Sequence, residues 1–211
     1  MPGPILALDL GTYTGFAFCP TAGVIVSGTW DLSPKKGEQA AVRYFRFKLE
    51  LERYSLDNQG PLEVLYEQVH RHAGTQACHV YGGLLSHLQV WCLERSIYAT
   101  PVGVGQIKKF WTGSGRATKE EMVAEARLRG FDPVDDNEAD ALALLHRRIV
   151  EGPGGEQDKR KAAKHAYRLG RRTEAEINGR SLARRAARGL RAGDRDLPED
   201  GDEHQKTDSV A

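Results

Sequence analysis

The sequence predicts an α/β domain: a mixed sheet with helices on both faces. Three observations carry this. The short unbroken apolar run Ile5–Leu8 and the mostly apolar stretch Leu62–Tyr66 read as strands. Longer stretches with a 3.6-residue apolar period fall between and after them. Their order, strand–strand–strand–helix–strand–helix–strand–helices, suits a layered sheet rather than a bundle or a sandwich. At 211 residues the chain is long enough for one such domain of about 150 residues plus an appendage.

Residues 4–9 form the first expected strand, followed by a turn at Gly11-Thr12-Tyr13-Thr14-Gly15. Phe16–Cys19 and Val24–Trp30 then make a meander around the Pro20–Gly23 turn. Residues 38–55 are expected to be a helix with Ala41, Phe45, Leu49 and Leu51 inward. Residues 62–67 make the fourth strand. Residues 75–95 make a long helix with Val80, Leu84, Leu85, Leu88, Trp91 and Cys92 on one face, and Ile97–Val102 a fifth strand cut short by Pro101. A short helix around Gln106–Trp111 leads through a Gly-rich loop at 112–117 to a helix from Thr118 to about Arg129. Thr118 with Glu121 three residues on has the capping-box pattern. The last core helix spans 137–150, and Gly152-Pro153-Gly154-Gly155 stops it.

These boundaries predict a catalytic body over 1–152, a basic arm over 153–195 and an acidic disordered tail over 196–211. Apolar residues in the arm are almost all Ala, so it is expected to be helical or disordered and to order on a partner. Charge is distributed accordingly. Residues 1–153 carry 16 Lys and Arg against 18 Asp and Glu, residues 154–195 carry 13 against 5, and residues 196–211 carry one Lys against 6 acids. A near-neutral body with a basic arm suggests a polyanionic partner, with the acidic tip competing for the arm.

Several classes are excluded or disfavoured. No run approaches the roughly 18 apolar residues of a membrane span. No basic segment precedes an apolar one at the N-terminus, so no secretory signal is expected and the cytoplasm is the expected location. Cys19, Cys78 and Cys92 are odd in number and widely spaced, and read as buried thiols of a reducing compartment. Thr112–Ala117 does not have P-loop spacing. His70, His72 and His79 lack the spacing of a zinc site, and Trp91 and Trp111 read as core.

The chemistry lies in the acids. Asp9 closes the first strand, Glu67 the fourth, and Asp140 sits among alanines and leucines on a helix that should be buried. Buried strand-end carboxylates are costly unless paired. If the first and fourth strands are neighbours, Asp9 and Glu67 stand side by side, and a divalent cation with oxygen ligands offsets their repulsion. An Asp-initiated turn and a Glu67–Arg71 ion pair are the plainer readings of the first two. Asp135 and Glu138 are accounted for by the dipole at a helix N-terminus. Lys108, Lys109 and Lys119 flank the glycine loop and suit a phosphodiester backbone.

Together these segments resemble the RuvC family of Holliday junction resolvases within the RNase H-like superfamily. Ile5–Thr12 followed by Thr14-Gly15-Phe16-Ala17 is similar to the family's first-strand motif, and Tyr66-Glu67-Gln68-Val69 to its Glu-Gln-Val motif. Pro101, Lys108-Lys109 and Gly113–Lys119 resemble its lysine and glycine-loop segment, and Ala139-Asp140-Ala141-Leu142-Ala143 its final helix. The likeness spans roughly residues 4–150 in order and spacing. It implies an RNase H-like five-stranded sheet, a homodimer, and paired symmetric nicks in a four-way DNA junction. It implies Mg²⁺, or Mn²⁺ in its place, held by Asp9, Glu67 and Asp140, with Lys108 or Lys109 and Lys119 near the scissile phosphate. Two cations about 3.5–4 Å apart would clamp that phosphate.

Two departures are visible. Asn137 stands where the family usually has Asp or His, leaving Asn137 or Asp136 to complete the ligand set. His70 stands where many members have an aromatic wedge, so it is a candidate DNA contact, as is Arg116. The divergent motifs and added tail suggest a phage or prophage version. Competing expectations are an RNase H-like nuclease acting on flaps, forks or branched phage DNA, a non-catalytic DNA-binding module, and an actin-like ATPase. The last needs a second domain for which the chain has no room.

Overall fold

The structure is a computed structural model, and it describes residues 3–21, 24–56, 63–70, 74–97 and 99–152. The expected arm at 153–195 and tail at 196–211 lie outside the described residues, as do Arg71 and His72.

The elements follow the expected order: β1 (Ile5–Asp9), β2 (Tyr13–Cys19), β3 (Val26–Asp31), α1 (Val42–Leu56), β4 (Glu63–Gln68), α2 (Thr75–Glu94), β5 (Ala99–Gly103), α3 (Val104–Thr112), α4 (Lys119–Leu128) and α5 (Asp136–Glu151). They build a five-stranded sheet of order β3-β2-β1-β4-β5. The hairpin pairs β1–β2 and β2–β3 are antiparallel, and β1–β4 and β4–β5 are parallel. β1 is central, which is why Ile5–Leu8 is apolar at every position rather than at alternate ones.

Alternation along β1 and β4 sorts the core into two layers. Ile5, Ala7 and Leu65 face α3, α4 and α5, where they meet Ile107, Trp111, Met122 and the buried side of α5 from Ala139 to Leu145. Leu6, Leu8, Val64 and Tyr66 face the other way, against Phe47 and Leu51 of α1 and Val80, Leu84, Leu88 and Trp91 of α2. Each fully buried Leu contributes roughly 1.5–3 kcal/mol. Asp9 and Glu67 continue the first set, so the strand period points both toward α5.

Caps hold the helix ends as the sequence suggests. Thr118 and Glu121 form the reciprocal capping box of α4. α3 ends at Gly113, whose φ of 83° is the left-handed conformation that favours glycine.

Four expectations are corrected. The turn after β1 is shorter than 11–15, because Thr14 bonds back to the Gly11 carbonyl at 2.7 Å and β2 has begun by Tyr13. The inward face of α1 is Phe47 and Leu51; Phe45 and Leu49 are about half exposed, their period falling on the solvent side. Pro101 does not shorten β5 but lies within it, tolerated because an edge strand has a side that needs no N–H. Of the three cysteines expected to be buried, only Cys92 is; Cys19 is half-buried and Cys78 exposed, although all three are free. Among the described residues no helix is long and apolar enough to cross a membrane.

Candidate active site

β1 and β4 run side by side with Leu8 opposite Tyr66, so the next residue of each, Asp9 and Glu67, reaches the same sheet end on the same face. Tyr81 of α2 fastens the end of β4: its hydroxyl donates to the Glu67 carbonyl at 3.0 Å and accepts from Val69 N–H at 3.3 Å. Above them α5 crosses the sheet and lowers Asp140 from its second turn. Asp9, Glu67 and Asp140 each offer an oxygen, and these atoms all lie within 4.8 Å of one another.

The three carboxyls disturb one another strongly. Burial and the adjacent Glu67 charge hold Asp9 well above the usual carboxylate range. Two buried carboxyls this close hold a proton more readily than free ones. Burial also raises Glu67. Asp140 is pushed up to about 7, first by burial and then by the charge of Asp9. Its Oδ1 is buried and without a hydrogen-bond partner, a costly state for a carboxylate oxygen. An all-carboxylate, mutually repelling donor set with one orphaned oxygen fits a hard divalent cation such as Mg²⁺ or Mn²⁺.

Cations approach from two elements. Lys108 on α3 donates from Nζ to the Ala117 carbonyl at 2.7 Å, and its charge pulls down both Glu67 and Asp140. Lys119, first residue of α4, is mostly exposed and pairs with Asp136, one turn ahead of Asp140. That bond raises the Lys119 pKa. Lys109 is exposed on α3, Arg116 is exposed in the glycine loop, and His70 is exposed just past β4. Trp91 and Trp111 are core, as expected.

The two candidates for a fourth ligand separate. The charge of Asp136 raises both Asp9 and Asp140. The Asn137 side chain is instead bonded to Asp135. Sequence reasoning missed the groups that seat α5. Thr29 bonds to Asp135, and Glu138, read from sequence as a dipole partner alone, is buried and accepts from Ser27 at 2.7 Å and from Val134 N–H at 2.8 Å. The alternation of Ser27 and Thr29 in β3 was visible, but their partners more than a hundred residues away were not.

The chain has counterparts among known proteins. The chain is 32% identical over 132 residues to the crossover junction endodeoxyribonuclease RuvC of Anaeromyxobacter sp. (strain Fw109-5), a match covering 62% of this chain and 63% of that protein's length. Over that stretch the chain is similar to RuvC. Its fold agrees: it superimposes on T. thermophilus RuvC, solved in complex with a Holliday junction substrate, with a TM-score of 0.52, at 20% identity, over 67% of this chain and 90% of that one. A second T. thermophilus RuvC structure gives a TM-score of 0.48 at 21% identity, over 66% and 89% of the two chains. No protein-family model matches the chain.

Proposed function

We propose that this chain is a divalent-metal-dependent endonuclease that resolves four-way DNA junctions, acting as a homodimer that makes paired, symmetric nicks. The observation that carries it is the convergence of Asp9, Glu67 and Asp140, with the orphaned oxygen of Asp140, beside two lysines. The similarity to RuvC supports junction DNA as the substrate.

Asp9, Glu67 and Asp140 hold the metal, and Asp136 is better placed than Asn137 to complete the ligand set. Bound Mg²⁺ supplies Lewis-acid charge at the scissile phosphate and lowers the pKa of a water nucleophile. Asp9 and Glu67 both have raised pKa values, so they must be ionised together before both carboxylates can hold the metal. Lys119, released from Asp136, stabilises charge building on the phosphate oxygens. Lys108 braces the glycine loop through the Ala117 carbonyl, so that Arg116 and Lys109 meet the DNA backbone from a fixed surface. His70, exposed three residues beyond Glu67, offers a ring that can stack on a base at the branch point. A dimer presents two such centres related by a two-fold axis, from which paired nicks follow.

The decisive experiment incubates the full chain with a labelled synthetic four-way junction, with and without Mg²⁺, against a fork and a plain duplex. Metal-dependent symmetric nicking of the junction is expected. Equal or faster cutting of the fork would reassign the substrate to flaps and forks, and no cutting with any metal would reduce the chain to a DNA-binding module.

A further inference from the structure

At the level of the acids, a row of cross-strand partners crosses the sheet: Asp9 in β1, Gly15 in β2 and Thr29 in β3. Two residues back, Ala7, Ala17 and Ser27 form a parallel row. The strand period puts both rows on the face covered by α5. The far ends of the rows are bonded to the start of that helix. Thr29 Oγ1 donates to Asp135 Oδ1 at 2.7 Å, and Ser27 Oγ donates to Glu138 Oε1 at 2.7 Å. The other Glu138 oxygen accepts from Val134 N–H, and Asp135 caps the helix by accepting from Glu138 N–H at 2.9 Å. Between these bonds and Asp9 lies Gly15. A Cβ there would collide with the Asn137 carbonyl group and stand 3.0 Å from the Glu138 nitrogen. The helix backbone therefore rests directly on the strand.

We propose that this clasp, Ser27 and Thr29 with Glu138 and Asp135 closed over the Gly15 notch, is a positioning device that sets the Asp9–Asp140 separation and with it the affinity for metal. The inference deepens the metal-site reading and rests on it. Two features of the helix support it. α5 is already anchored by the apolar residues Ala139 and Ala141–Leu145, all at most 1% exposed, so the clasp is not needed to bury the helix. A Glu that is 6% exposed and held by two neutral donors is a costly way to add stability. It is an effective way to fix a position, because bonds at both carboxylate oxygens allow one seating of the first turn. Asp140 lies only two residues beyond Glu138, so any slide or lift of the first turn is passed to its carboxylate. Mg²⁺ demands near-ideal geometry at 2.0–2.1 Å and tolerates such shifts poorly.

The test measures Mn²⁺ binding to the full chain by calorimetry, with no DNA and no turnover. Gly15→Ala, the pair Ser27→Ala with Thr29→Val, and Glu138→Leu should each weaken Mn²⁺ binding roughly 10-fold or more while remaining folded, the scale expected for groups that orient metal ligands. Glu138→Gln should recover most of the affinity, since its amide oxygen accepts from Val134 and its NH₂ donates to Ser27. Leu51→Ala, in the opposite layer, should lower the unfolding temperature and leave Mn²⁺ affinity unchanged. Unchanged affinity in folded Gly15→Ala, or in the Ser27/Thr29 double variant should Gly15→Ala not fold, overturns the proposal while leaving the metal site standing. Absence of binding in the unaltered chain overturns the metal site and the clasp together.

Discussion

Asp9 and Glu67 stand side by side at the ends of two parallel strands, and burial raises both carboxyls above the usual carboxylate range, so that each holds a proton more readily than a free acid. The pair is thus built to exchange a proton for a cation. Such a site is strained when empty of both, and that strain can be measured.

Without metal, stability should fall as pH rises. All three acids have folded-state pKa values raised above their unfolded values, so their ionisation opposes folding. Below the unfolded value the folded state carries no penalty; the penalty grows as pH climbs through the folded values, Asp140 at about 7 among them. The unfolding temperature in chelator is therefore expected to drop between roughly pH 4 and pH 8. Mg²⁺ should restore it, more at pH 8 than at pH 5, because metal displaces protons. His146, whose pKa burial lowers, acts in the opposite direction, so the comparison is with Asp140→Asn, whose profile should be flatter. A chelated wild-type curve that tracks Asp140→Asn across this range contradicts the assignment.

Asp9→Asn and Asp140→Asn should each abolish cutting, yet hold a four-way junction as tightly as the unaltered chain or more tightly, since each removes a negative charge facing phosphate. Asp140→Asn should also stabilise the metal-free protein above pH 7, by up to about 4 kcal/mol on the scale of 1.36 kcal/mol per pKa unit. Gel-shift, nicking and chemical-denaturation measurements on the same samples check all three. Residual cutting near wild-type level in either variant would remove that residue from the metal site.

Lys119 is mostly exposed and its ion pair with Asp136 is a surface pair, worth at most about 1 kcal/mol. Lys119→Ala should accordingly fold with an unfolding temperature close to that of the unaltered chain. Its nicking rate should nonetheless fall about 10²–10³-fold, the cost of losing one preorganised group at developing charge. Single-turnover nicking at saturating Mg²⁺ separates this from weaker DNA binding. A rate within twofold of wild type would leave Lys119 a surface lysine.

The sheet was legible because β1 and β4 are covered on both faces and carry consecutive apolar residues, Ile5–Leu8 and Val64–Tyr66, and α4 because its capping box is local chemistry. Asp140 stood out because a carboxylate among alanines conflicts with burial. What escaped was either non-local or masked by a weak period. Phe45 and Leu49 looked like the inner face of α1, but a helix with one apolar residue per turn on each of two sides has no unique orientation until its partner is placed. Gly15 read as part of a turn because nothing in its neighbours reveals that a helix about 120 residues on needs its missing side chain. Glu138 read as a dipole partner because the local explanation was sufficient, and its bond to Ser27 spans 111 residues.

The stretch beyond the body tests the division of labour between chemistry and grip. Residues 154–195 hold 13 basic residues against 5 acidic ones, and residues 196–211 hold 6 acids against one Lys. The proposed junction cutting draws only on residues of the body, so a chain ending at residue 153 should still nick a junction in Mg²⁺. Its affinity should be lower and less sensitive to salt, with the slope of log affinity against log salt falling by about 0.9 for each phosphate that the shortened chain no longer neutralises. Removing residues 196–211 alone should act oppositely, tightening binding and steepening the slope, because the acids no longer compete for the basic arm. Fluorescence anisotropy of a labelled junction across a salt series distinguishes the two. Identical slopes for all three chains would mean that the basic stretch does not touch DNA.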